Sequence, residues 1–114
     1  MKIPVAMLLA LAMSLVSSAA MAQDIACADE AHTRSVQAGA EITITFINTG
    51  ETPIELNWLN YEGEREYFTR LYPGWKHVQR TYATHPWLLA DEDGNCLRIL
   101  VAPEASTTME ISAP

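Results

Sequence analysis

The fold class predicted from this sequence is all-β: a single β-sandwich of about seven or eight short strands. Three observations predict it. Short stretches rich in β-branched and aromatic side chains alternate apolar and polar residues with period two. Clusters of Gly, Pro, Asn and Asp punctuate them every 8–12 residues. Past residue 22, no apolar stripe of helical period runs longer than two turns.

Taken in chain order, Met1-Lys2 is followed by a nearly uncharged run from Ile3 to Ala22 that ends in Ala20-Met21-Ala22 before Gln23. One cation, an apolar centre and a small-residue exit are the marks of a secretory signal peptide over residues 1–22. The apolar part is near the lower limit for a membrane span, so no span is expected once it is cleaved. Residues 23–40 read as an irregular N-terminal arm, and 41–114 as the sandwich. Glu41 to Asn48 is a strand, with Ile42, Ile44 and Phe46 on one face. Thr49 to Pro53 turns, and Ile54, Leu56 and Trp58 share a face of the next strand. Asn60-Tyr61-Glu62-Gly63 is a turn whose glycine supplies positive φ. Glu64 to Thr69 is a polar strand suited to a sheet edge. Tyr72-Pro73-Gly74 turns into Trp75 to Tyr82, where Val78 and Tyr82 lie opposite His77, Gln79 and Thr81. Thr84-His85-Pro86 interrupts. Trp87 to Ala90 is short and apolar throughout, as a buried strand is. Asp91 to Asn95 closes a hairpin onto Cys96 to Val101, and Thr107 to Ser112 is the last strand.

The whole chain has 114 residues and a formal charge of −7. Removing 22 residues, Lys2 among them, leaves 92 residues and a charge of −8. That acidity, with basic residues scattered, excludes a nucleic-acid surface. The length excludes large enzyme folds. An exported chain with two cysteines, Cys27 and Cys96, is expected to join them in a disulfide between the arm and a late strand. No metal site is expected, since His32, His77 and His85 are far apart and no C-x-x-C occurs. Asp91-x-Asp93-Gly94-Asn95 resembles part of a calcium loop but lacks the later acidic ligand, so it reads as a turn. Glu62, Glu64 and Glu66 could serve a hydrolase only in a cleft that raises one pKa. There is no nucleophile elbow. The chain reads as no enzyme and needs no cofactor. Trp58, Tyr61, Tyr67, Tyr72, Trp75, Tyr82 and Trp87 fall within 30 residues. They are either core or the walls of a groove for an extended or proline-containing peptide.

Several blocks resemble a known family. Trp58-Leu59-Asn60-Tyr61-Glu62-Gly63, Tyr67, Leu71-Tyr72-Pro73-Gly74 and Thr81-Tyr82-x-x-His85-Pro86-Trp87-Leu88 are similar to the β domain of the von Hippel–Lindau tumour suppressor. That domain reads W-L-N-F-D-G, Y, L-P-P-G and S-Y-x-x-H-L-W-L. The seven-residue step from Gly74 to Thr81 is kept. The resemblance implies a sandwich of seven or eight strands and a groove binding a protein or peptide ligand through a hydroxylated proline. Carried over by motif, the ligand-binding residues are Trp58, Tyr67, Thr81, His85 and Trp87. Trp58 would form the pocket floor and Trp87 the second ring, and Thr81 and His85 would hold the hydroxyl. Tyr67 matches only with a one-residue gap on each side; Phe68 fits without gaps. The family's helical domain has no counterpart here, so ubiquitin-ligase subunits are not expected as partners. The leader places the protein in the periplasm or outside the cell. The alternative is a structural or protein-interaction domain of the cell envelope whose aromatics are only core.

Overall fold

The computed structural model describes residues 23–114, and the expected leader lies outside them. Eight strands form two sheets: β1 (Gln23–Ile25), β2 (Glu41–Asn48), β3 (Ile54–Leu59), β4 (Arg65–Leu71), β5 (Lys76–Tyr82), β6 (Pro86–Ala90), β7 (Cys96–Val101) and β8 (Thr107–Ile111). One sheet has the order β1-β7-β6-β3-β4, the other β5-β2-β8. All pairings are antiparallel except β2 with β8. The all-β sandwich expected from periodicity is what forms. Among the described residues, no helix is long and apolar enough to cross a membrane.

The core lies between the sheets. Ile42, Ile44 and Phe46 of β2 meet Ile54, Leu56, Leu71, Trp87, Leu89 and Leu100 of the facing sheet. Each such side chain contributes roughly 1.5–3 kcal/mol on leaving water. A second cluster, Leu59, Leu88, Ala90 and Ile99, lies apart from it, with Ile25 and Cys96 packed against it. β6 is therefore buried along its whole length. That is why Trp87 to Ala90 is apolar throughout rather than alternating.

The arm is more ordered than its sequence suggests. Gln23–Ile25 pairs with β7, and Cys27–His32 forms a 3-10 turn. A three-residue strand is too short to show a period, so only pairing with its neighbour reveals it. The expected disulfide is present: Cys27 of the 3-10 turn joins Cys96 of β7 across 69 positions.

Candidate functional site

β4 and β5 are both edge strands. They help to wall a concavity of about 170 Å³ that Trp58, Tyr61, His85 and Trp87 complete. Trp58 and Trp87 pair directly across β3 and β6. Trp87 is buried at 2% exposure, with its indole N–H donating to the Thr81 hydroxyl at 2.9 Å. The Trp58 N–H donates to Ser35 Oγ at 2.8 Å, and that hydroxyl donates on to Leu59 O at 2.7 Å. Ser35 comes from the arm and is fully buried. Nothing in the sequence around Ser35 signalled this role. Only tertiary packing brings it to the tryptophan.

β5 carries Thr81 inward on a polar face. Thr81 and Gln79 are buried, while Val78 and Tyr82 are exposed. The strand is turned this way because Thr81 and Gln79 stand opposite Ile42 and Ile44 of β2, whose apolar face is inward. The buried indole N–H can only donate, so it needs an oxygen on that face.

His85 is fixed by its backbone. Its N–H donates to Tyr82 O, and its carbonyl accepts from the Ala102 N–H. Thr84 before it has φ of 80°, where a β-branched residue is strained. The Thr84 N–H to Ala102 O and Thr84 Oγ1 to Gln37 O hold it there. Pro86 after it favours an extended His85. The ring stacks on Trp58 at 5.5 Å and meets Tyr61 and Tyr82 edge-on. The Tyr61 hydroxyl lies 3.3 Å from His85 Nε2. Burial pushes the imidazole pKa down, so the ring is neutral near pH 7.

Of the residues expected at the site, Trp58, Thr81, His85 and Trp87 are brought together around one concavity, but Tyr67 is not. Tyr67 pairs with Asn57 and is 58% exposed. The ladder shifts register at this point: Leu56 pairs with Thr69 and Asn57 with Tyr67, so Phe68 is the extra residue of a bulge. Phe68 takes the wall position, edge-on to Trp87 at 4.9 Å. Phe68, the residue that fits the motif without gaps, is thus the one on the concavity's wall. Tyr61, Tyr82 and Arg80 complete the lining. Tyr61 could have been found from the W-L-N-Y block, where it occupies the motif's aromatic position. Arg80, at the rim, pairs with Glu41 at 2.9 Å.

The other candidate chemistries find no support in the geometry. The Asp91 carboxylate accepts from the backbone N–H groups of Asp93 and Asn95 and from the Asn95 side chain, as a hairpin turn requires. Glu62, Glu64 and Glu66 are exposed. Among the described residues, no three of His, Cys, Asp and Glu gather as a metal ion would need.

No curated protein matches the chain. A family model described as the VHL beta domain matches residues 33–102, a span that contains every residue of the concavity. The chain belongs to the VHL beta domain family.

Proposed function

We propose that the protein is an exported, non-enzymatic binding module that takes the proline ring of a peptide or protein segment into the concavity between β4 and β5. The observation that carries this is the convergence of Trp58, Thr81, His85 and Trp87 on one aromatic-walled hollow. Its volume, about 170 Å³, is below the roughly 300–1,000 Å³ of pockets that engulf a whole drug-sized ligand. It suits a single inserted ring better. A proline ring is rigid, so aromatic walls bury it at little entropic cost. The flanking edge strands leave backbone groups free beside it, which suits an extended segment.

Export rests on the leader reading and agrees with the Cys27–Cys96 disulfide, which suits an oxidising compartment. The N-terminus of the exported protein is then Gln23, which mass spectrometry of the purified form reads directly.

Titration with proline and hydroxyproline peptides, followed by tryptophan fluorescence, tests the binding reading. A saturable change is expected, lost in Trp58→Ala. No response at millimolar peptide sinks it. A second reading has one observation behind it: Trp87 and His85 are 2% and 3% exposed, as core residues are. On that reading the domain is structural, and Trp58→Ala and His85→Ala lower stability without changing any ligand's affinity.

A further inference from the structure

Cleavage after Ala22 makes Gln23 the first residue of the exported chain. A glutamine at a free amino terminus holds a nucleophile and an electrophile within ring-closing reach. They are its α-nitrogen and its own side-chain carbonyl carbon. Both belong to one residue, so no encounter with a second molecule is needed.

The residues that follow are tied down, while the Gln23 side chain is exposed. The Asp24 carboxylate accepts from Arg98 Nε at 2.8 Å. Ile25 packs against the second apolar cluster, and Cys27 is bonded to Cys96. The backbone of Gln23 itself is held opposite Val101 by the pairing of β1 with β7. Its side chain borders a hollow of about 280 Å³ shared with Thr84, Val101, Pro103 and Glu104. The main chain is therefore fixed, and the amide has room to swing back onto the terminal nitrogen.

Closure is compatible with the sheet. The ring is made from atoms already present, so nothing larger has to fit the hollow. The lactam nitrogen keeps one hydrogen and the main-chain carbonyl is untouched, so residue 23 can stay paired with Val101. What is lost is the terminal positive charge. With it goes the free α-amine that an aminopeptidase grips. Trimming from this end would remove β1, the Asp24–Arg98 pair and the Ile25 contact in turn.

We propose that Gln23 is a modification site that closes to a pyroglutamyl ring in the exported protein. The α-nitrogen bonds to the side-chain carbonyl carbon, and the bond from that carbon to the side-chain nitrogen breaks. That nitrogen leaves as ammonia, taking the proton the amine sheds. Nothing is oxidised or reduced, and no co-reactant is consumed. The inference rests on removal of the leader after Ala22.

The test expresses the full chain in an exporting bacterium, recovers the mature protein in the cold and analyses it at once. Its intact mass is expected to be that of residues 23–114 with the disulfide formed, less one ammonia. Lys76 is the only lysine beyond residue 22. An amine-reactive reagent should therefore add a single group to the unfolded protein. Gln23→Ser, which cannot close the ring, should take a second group at its terminus. A wild-type protein of full mass that takes the second group overturns the assignment and leaves cleavage after Ala22 standing. A lactam that is absent from fresh protein and grows only on storage does the same. A chain that keeps its leader, or begins at another residue, overturns the leader reading and the assignment with it.

Discussion

The Thr81 oxygen satisfies the core while its residue lines the candidate concavity. It satisfies the Trp87 indole at 2.9 Å inside the sandwich. Thr81→Val would leave that N–H buried and unpaired, at a cost of about 1–3 kcal/mol. Thr81→Ser would keep the acceptor and most of the stability. Urea unfolding of the two variants separates these outcomes. His85 makes stability depend on pH. Burial lowers its pKa in the folded chain. Below about 6.5, the ordinary imidazole value, the unfolded chain takes up a proton that the folded chain refuses. Stability is therefore full above that pH and falls as pH drops through the folded value. Unfolding midpoints between pH 7.5 and 5 should show this fall, and His85→Asn should flatten it. At this scale the motif blocks made Trp58, Thr81, His85 and Trp87 legible in sequence. Ser35 was not, because a serine in an arm has no local pattern that points to an indole two strands away.

The elements were legible where side chains alternate, and less so where backbone pairing departs from regularity. Glu41 to Asn48 shows its strand and its buried face at once. At Trp75 to Tyr82 the alternation is just as clear, yet placing apolar residues inward would turn β5 the wrong way, because Gln79 and Thr81 face the core. The bulge at Phe68 is invisible to periodicity, since an extra residue looks like a lapse in pattern. It decides which aromatic reaches the site. Phe68→Ala is expected to weaken peptide binding about tenfold, the worth of one buried aromatic contact. Tyr67→Ala, on the outward side of the same strand, should leave affinity within about twofold, as surface substitutions do. Calorimetric titration of both variants checks the pair, and a loss confined to Tyr67→Ala would show that the bulge does not set the wall.

For the whole molecule, the small core is supplemented by a covalent cross-link between the arm and β7. The disulfide closes a loop spanning 69 positions. On the chain-entropy view it supplies about 4 kcal/mol. Cys27→Ser with Cys96→Ser should lower the thermal midpoint by well over 10 °C, at about 4–8 °C per kcal/mol for a domain of this size. A scanning calorimetry trace unchanged by the pair of substitutions would contradict the assignment. The same topology has a consequence for timing. A chain emerging from its N-terminus presents Ser35 and Cys27 long before Cys96 exists, and β2 must wait for β8, near the other end, before its second edge is covered. Neither the clamp on the arm nor the sheet behind Thr81 can be completed by a partial chain. A copy cut before β8 would leave one edge of β2 open, and one cut before Cys96 would leave Cys27 without its partner as well.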